Sequence, residues 1–323
     1  MKKIKILFFT LLFFFCPIFF VNALPVIFTQ TYFTKIQYGK LGEYVYDQKD
    51  SSSPYVKLSY LDWPKKFIFN TGTKFQADCK NFILDASFSF AIPGSSGILQ
   101  DYDYLNFDDT LICYSKSQNT LEQNINSEIT FYYKFGIDRF LIEPLICFCF
   151  NDVYFSARNG YGWYGNNSSP YVSYDDSSAA YYSELCGISY QRQTFYTWLG
   201  LKTLCNAGKF KFALAYSISP FTYIYSIDKH FTDLSSNNFR LYNDRMTGIF
   251  SWHKLALDAE YELKTDCFIK FALASVFGKS SLGETYFGNG NIHSSETEVS
   301  LITSKSMADE ITFDASFSIK FIF

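Results

Sequence analysis

The sequence predicts an all-β protein, a transmembrane antiparallel β-barrel of ten strands with short turns at one end and long loops at the other. Three observations support this fold class. Polar and apolar residues alternate with a period of two through most of the chain, which is the pattern of strands with two different faces. The chain also ends on an aromatic strand, and short connections between strands alternate with long ones.

The final segment shows the alternation most clearly. Its apolar face consists of Phe313, Ala315, Phe317, Ile319, Phe321 and Phe323. Polar residues occupy the positions from 314 to 320 between them, and the last residue is aromatic. A final strand of this kind is typical of outer-membrane barrels, and a soluble sandwich would not need the terminal aromatic residue.

The same alternation places ten strands along the chain. They span residues 29–47, 54–70, 73–92, 121–136, 139–158, 178–204, 208–228, 239–264, 267–281 and 308–323. Tight turns rich in Gly, Asn and Asp are predicted at 70–73, 136–138, 205–208 and 264–267. Longer or more polar connections are predicted at 47–53, 93–120, 159–177, 229–238 and 278–307. This alternation puts both termini at the end with short turns, which is the periplasmic end of outer-membrane barrels.

The N-terminus has the features of a secretory signal. Three lysines precede an apolar run over residues 6–21, and a small-residue pattern ends at Ala23. An uncleaved anchor helix is the alternative, but Pro17 lies inside the run and disfavours it. The sequence therefore predicts a signal peptide over 1–23 and an outer-membrane barrel over 24–323.

Composition excludes several other classes of protein. A net charge of −3 gives no reason to expect a nucleic-acid partner. Hydrophobic residues make up 48% of the chain, yet its mean hydropathy is −0.03, so a bundle of transmembrane helices is excluded. Seven cysteines follow the signal, an odd number that cannot form a complete disulfide framework. Because no metal-ligand spacing is present either, we expect no metal and no cofactor.

Asp101 and Asp103 follow the third predicted strand, in the loop predicted over 93–120. Residues two apart on extended chain point the same way, so both carboxylates can face the lumen and hold one water. An acidic loop that only binds solvent is the simpler interpretation.

Asp228 and His230 form a second pair, at the end of the seventh predicted strand. A carboxylate beside an imidazole fixes its tautomer and increases its basicity. The other histidines, His253 and His293, have no aspartate at this spacing. By the predicted topology, both pairs emerge at the same end of the barrel.

These residues resemble the omptins, a family of outer-membrane endopeptidases with ten-stranded barrels. The resemblance rests on Asp-x-Asp after the third strand, Asp-x-His after the seventh, and further landmarks that follow in order along nearly the whole mature chain. Those landmarks are 39–46, 59–63 with its Leu-Asp-Trp, 101–104, and the Phe-Ser-Ala-Arg-Asn-Gly at 155–160.

The resemblance implies a peptidase that forms no covalent intermediate. Asp228 and His230 would activate a water, while Asp101 and Asp103 would position it and stabilise charge. Glu43 matches the acid that binds a basic side chain before the cut, so the implied substrates are peptides or proteins with basic residues. The second acid of that pocket is replaced by Ser226.

The resemblance also bears on lipid, the other expected partner of an outer-membrane barrel. Omptins that depend on lipopolysaccharide carry Tyr-x-Glu-x-Arg on the outer wall, and this chain has Phe148, Phe150 and Asp152 there. Gln193 stands where a further arginine is expected, with Arg192 beside it on the opposite face. A carboxylate would repel an anionic head group, so either the host membrane lacks ordinary lipopolysaccharide or another site replaces this one.

Two alternatives to an active peptidase remain at this point. One is a barrel of the same fold with weakened or absent catalysis that acts as an adhesin or surface scaffold. The other is a porin-like channel, which would show charged residues at a lumen constriction rather than two spaced pairs at the tops of strands.

Overall fold

The computed structural model describes residues 26–104, 110–137, 140–164, 180–181, 186–233, 238–291 and 299–323. The predicted signal peptide lies outside these ranges, so the division at residue 23 stays a prediction. No helix in the described ranges is long and apolar enough to span a membrane.

The described residues form fifteen strand segments in one antiparallel sheet. They are β1 (Val26–Asp47), β2 (Val56–Cys79), β3 (Phe82–Ala91), β4 (Gly94–Asp103), β5 (Cys113–Tyr133), β6 (Phe135–Ile137), β7 (Phe140–Tyr164), β8 (Ala180–Tyr181), β9 (Cys186–Ala207), β10 (Phe210–Asp233), β11 (Asn238–Gly248), β12 (Trp252–Lys264), β13 (Cys267–Lys279), β14 (Gly283–Asn291) and β15 (Ser300–Ile322).

These segments group into ten continuous strands of the barrel wall, which is the number that the sequence predicts. Each such strand is called a stave, and it consists of one long segment or of two segments placed end to end, in some cases with a short extra segment. β3 and β4 lie end to end, since both pair with β2 and β5. β11 and β12 both pair with β10, and β13 and β14 both pair with β15. The short β6 and β8 pair only with β7. Because β15 also pairs with β1, the sheet closes into a barrel and the predicted fold class is confirmed.

The outer wall carries a belt of exposed apolar side chains. Each stave contributes at least one of them, for example Tyr32, Phe69, Phe88, Phe131, Phe148, Leu201, Leu214, Leu257, Phe271 and Phe317. A continuous apolar band on the outside of a closed sheet is the surface that hydrocarbon requires. The belt ends near Tyr38 on β1 and Tyr223 on β10, and the next five residues of a strand extend about 16 Å beyond it.

The lower lumen, from the termini to the middle of the barrel, is filled by ion pairs. Lysine ammonium groups from one stave meet carboxylates from another, as in Lys74 with Asp85, Lys254 with Glu128, Lys202 with Glu143, Lys270 with Asp258 and Lys320 with Glu260. Higher up, Glu310 accepts hydrogen bonds from Lys65 Nζ at 3.2 Å and Tyr196 Oη at 2.8 Å, and Arg192 Nη2 lies 3.5 Å away. These pairs compensate the cost of burying charge.

Buried apolar side chains form two clusters within the barrel. In the larger cluster, Trp63 stacks on Tyr190 with ring centroids 5.1 Å apart and on Phe155 at 5.8 Å, and all three are fully buried. Leu41 and Leu61 pack into the same cluster. Packed apolar side chains in the lumen do not favour the channel alternative.

The turn predicted at 70–73 is wrong, because β2 continues through it to Cys79. Asn70 points inward and donates a hydrogen bond to Gln37 Oε1 at 3.2 Å. Gly72 is needed for close packing, since a Cβ there would lie 2.4 Å from the carbonyl oxygen of Phe88. The actual turn is at Lys80, whose φ of 50° is left-handed. The turns predicted at 205–208 and 264–267 are found where expected.

The long loop predicted over 93–120 is also largely wrong. Residues 94–103 form β4, and β5 begins at Cys113. Gly97 adopts a φ of 123°, and the register between β4 and β5 shifts there. This bulge disguises the period-two pattern that would have marked the strand. Parts of the other predicted loops, 165–179, 234–237 and 292–298, lie outside the described residues.

Candidate active site

Both predicted pairs lie inside strands, at the end of the barrel opposite the termini. Asp101 and Asp103 are on β4, opposite Leu61 and Ser59 of β2. Asp228 and His230 were placed at a strand end, but β10 continues to Asp233. A rigid sheet therefore fixes all four side chains, and alternation along each strand gives each pair a common direction.

The Asp228–His230 pair is directly hydrogen-bonded. His230 Nε2 donates to Asp228 Oδ2 at 2.5 Å, and Asp228 is only 3% exposed. Burial by itself lowers the pKa of His230, but the charge of Asp228, its hydrogen bond, and the charges of Asp101 and Asp103 raise this pKa to about 9. The resting imidazole therefore carries a proton at neutral pH. The second oxygen of Asp228, Oδ1, is buried without a hydrogen-bond partner.

The Asp101–Asp103 pair lies within electrostatic range of His230. Burial, followed by the charge of Asp103, raises the pKa of Asp101 to about 8, and burial also raises the pKa of Asp103. The charge of His230 opposes the rise at both carboxyls, and the Ser59 hydroxyl does the same. The four groups thus form one electrostatically coupled site.

Glu43 belongs to the same site. It is 2% exposed, and its Oε2 accepts a hydrogen bond from Trp63 Nε1 at 3.2 Å. Burial and then the charges of Asp228 and Asp244 raise the pKa of Glu43 well above its usual range. It lies five residues beyond Tyr38, above the apolar belt.

Sequence reasoning missed Asp244, which lies opposite Ser226 in the pairing of β10 with β11. Its side chain is 2% exposed, and Ser226 Oγ donates to its Oδ2 at 3.3 Å. Burial, opposed by nearby hydroxyls and assisted by the charge of Asp228, raises the pKa of Asp244 to about 7. The only sequence signal was a short polar stretch at 243–245 inside a long predicted strand, and that stretch does not reveal the cross-strand partner.

The model of the Omptin family matches residues 34–323. The chain belongs to the omptin family. No curated protein sequence matches it. Among solved structures, it is similar to the outer membrane protease OmpT from Escherichia coli, with a TM-score of 0.76 and 14% identity, covering 94% of this chain and 99% of that one. At this identity the likeness shows the fold alone.

Two other solved barrels are much less similar to this omptin. The translocator domain of the autotransporter NalP from Neisseria meningitidis has a TM-score of 0.35 and 7% identity over 99% of this chain and 95% of that one. A major outer membrane protein from Thermus thermophilus has a TM-score of 0.34 and 8% identity over 91% of this chain and 99% of that one.

The outer wall of this omptin has the departures that the sequence suggested. Phe148 is exposed there, and Asp152 lies on the same face. Both oxygens of Asp152 are occupied, because Gln191 donates to one at 2.8 Å and Gln193 to the other at 3.1 Å. Arg192 points into the barrel and donates to the carbonyl of Asp309 at 2.8 Å, so its charge is not on the lipid side.

Other titratable side chains of the described residues are not part of this coupled site. His253 is on the outer wall, where its Nδ1 lies 2.8 Å from Tyr216 Oη, and His293 lies outside the described residues. Cys147 and Cys149 are buried free thiols. Within the described ranges, no group of three or more His, Cys, Asp or Glu residues could hold a metal ion.

Proposed function

We propose that this omptin is an outer-membrane endopeptidase that hydrolyses peptide bonds after basic residues, with its site on the extracellular side. Family membership, the fold shared with an outer membrane protease, and the apolar belt support the location and the reaction class. The observation that carries the proposal is the direct hydrogen bond between Asp228 and His230 on β10, which lies within electrostatic range of Asp101 and Asp103 on β4.

In the proposed reaction, His230 acts as the general base. Its Nε2 is held by Asp228, so Nδ1 is the nitrogen that accepts a proton from the attacking water. The water oxygen bonds to the scissile carbonyl carbon, and the carbonyl oxygen becomes negative. His230 then passes the proton to the leaving amine as the carbon–nitrogen bond breaks. Asp228 stabilises the imidazolium between these two transfers.

Asp101 and Asp103 act on the opposite side of the scissile bond. An aspartic acid with a pKa near 8 is protonated at neutral pH, so Asp101 can donate a hydrogen bond to the developing oxyanion. Asp103 remains the acceptor that orients the water. Glu43 binds the basic side chain before the cut through a charge-assisted contact.

The test uses the refolded chain in detergent micelles and a quenched peptide that contains one arginine. Removal of the base in His230→Ala, or of the carboxylate that supports it in Asp228→Ala, should lower kcat/KM about 10² to 10⁴-fold. His253→Ala is the matched control, because it removes a histidine from the outer wall and should leave the rate unchanged. Equal cleavage by the wild type and both site variants would overturn the catalytic assignment.

A further inference from the structure

The mouth of the barrel holds a carboxylate whose environment is not explained by the proposed chemistry. Asp244 does not bond His230, yet it is buried and its charge is felt by Glu43. Its Oδ2 accepts from Ser226, and the hydroxyls of Thr285 and Ser306 also lie beside the carboxylate. These neighbours are neutral, and a buried carboxylate without a cation partner costs stability unless a ligand supplies one.

The groups around Asp244 are suited to bind a cation. Trp63 connects them, because it donates to Glu43 and stacks on Tyr190. The charges of Glu43 and Asp244 each raise the pKa of Tyr190, so this hydroxyl lies close to both carboxylates. Two carboxylates, a buried hydroxyl and aromatic rings are the environment that binds a guanidinium or ammonium group. We call this group of side chains the cation pocket.

No cation of the described residues is paired with either carboxylate. Neither Glu43 nor Asp244 forms an ion pair with a lysine or arginine of the described chain. Arg192 is near enough to act on Tyr190, but its guanidinium pairs with Glu310. Arg240 is exposed at the rim opposite His230. A basic side chain of a substrate can supply the partner that the two carboxylates lack.

We propose that Asp244 is a substrate-binding residue that holds the basic side chain of the substrate jointly with Glu43. This inference rests on the proposed function and adds to it a residue on a different strand from the catalytic dyad. Ser226, whose position the resemblance assigned to an acid, then acts as a positioning residue: its hydroxyl holds Asp244 from across the strand pair.

Cleavage specificity tests this proposal. Two quenched peptides differ only before the cut, one with arginine and one with its neutral isostere citrulline. In Asp244→Asn, kcat/KM for the arginine peptide should fall roughly 30-fold, mainly through KM, while the citrulline peptide changes less than about twofold. Adding Ser226→Asp to Asp244→Asn returns a carboxylate to the pocket and should restore most of the preference.

Asp62→Asn is the matched control, since Asp62 is an acid on the outer wall that pairs with Lys40. It should leave the preference for arginine unchanged. An Asp244→Asn variant that keeps the wild-type ratio of the two peptides, or loses both activities equally, would contradict the assignment.

A binding measurement separates this inference from the proposed function. Fluorescence anisotropy would follow arginine and citrulline peptides whose scissile amide is N-methylated and resists cleavage. If the wild type cleaves nothing but binds the arginine peptide preferentially, and Asp244→Asn abolishes that preference, hydrolysis is refuted and the cation pocket stands. If the wild type binds both peptides equally, the pocket is refuted whatever the cleavage assay shows.

Discussion

Buried carboxylates are paired with lysines in the lower lumen of this barrel but not in its mouth. In the lower lumen, carboxylates such as Asp85, Glu128 and Glu143 each meet a lysine from a neighbouring stave. In the mouth, the described carboxylates instead lie within electrostatic range of one another. The only cation bonded to any of them is His230. Those mouth carboxylates are Glu43, Asp101, Asp103, Asp228 and Asp244.

The difference separates charges that stabilise the fold from charges that the proposed reaction would use. A paired carboxylate is compensated within the barrel, whereas an uncompensated one is costly in the resting protein. Clusters of like charge with raised pKa values persist mainly where a ligand or a reaction uses them. The buried carboxylates of the mouth therefore lower the free energy of unfolding, whereas those of the lower lumen are compensated by their lysine partners.

The largest effect on stability is expected where the pairing is most buried. Glu310→Gln leaves Lys65 and Arg192 buried without a carboxylate, and should lower the free energy of unfolding by about 3–5 kcal/mol. A urea titration of the folded barrel, followed by tryptophan fluorescence, measures it. Asp244→Asn removes an uncompensated charge and should cost less than about 1 kcal/mol or stabilise the barrel. If the two variants lose similar amounts, the contrast between the regions is wrong.

The pH dependence of cleavage tests whether the carboxylates of the mouth act on His230. In the proposed reaction His230 must be neutral and Asp101 must keep its proton, so kcat/KM should rise with pH to a maximum between the pKa of Asp101, about 8, and the pKa of His230, about 9. The charges of Asp101 and Asp103 help to keep that proton bound. Asp103→Asn removes one of these negative charges and should move the rising limb of the pH–rate profile to lower pH. Asp62→Asn should leave it in place, and a shift to higher pH in Asp103→Asn would refute the coupling.

The smallest effect is expected for an ion pair outside the lumen. Lys40 Nζ and Asp62 Oδ2 are 2.8 Å apart on the outer wall, with side chains 41% and 21% exposed. Solvent screens such a pair, so Asp62→Asn should cost at most about 1 kcal/mol in the same urea titration. A loss as large as that of Glu310→Gln would mean that solvent exposure does not determine how much each ion pair contributes to the free energy of unfolding.

The sequence predicted the barrel because alternation is a local property. Each strand shows its two faces in its own residues, as the segment from Phe313 to Phe323 does. The errors arose where a local signal had a non-local cause. Gly72 looks like a turn residue but is required by the approach of the neighbouring strand at Phe88, and Gly97 disguises a strand by introducing a bulge.

The same limit applies to the site. Asp228 and His230 were recognisable because they sit two apart on one strand. Asp244 was not, because its relation to Ser226 exists only through the pairing of β10 with β11. One strand does not specify which of its residues stands opposite a serine on the next. The apparent loss of an acid at position 226 therefore could not be matched to its neighbour until the register was known.

The last strand has a particular importance for assembly. β15 pairs with β1 on one side and with β13 and β14 on the other, so it is the final stave that completes the ring. Until it is in place, β1 and β13 each present an open edge of unpaired backbone amides. Such an edge is costly in hydrocarbon and can pair with other chains and aggregate. Contacts between the two ends of a chain also form late and slowly. The closed sheet stabilises the finished barrel, but a chain whose sheet has not yet closed must be protected from aggregation until β15 pairs with β1.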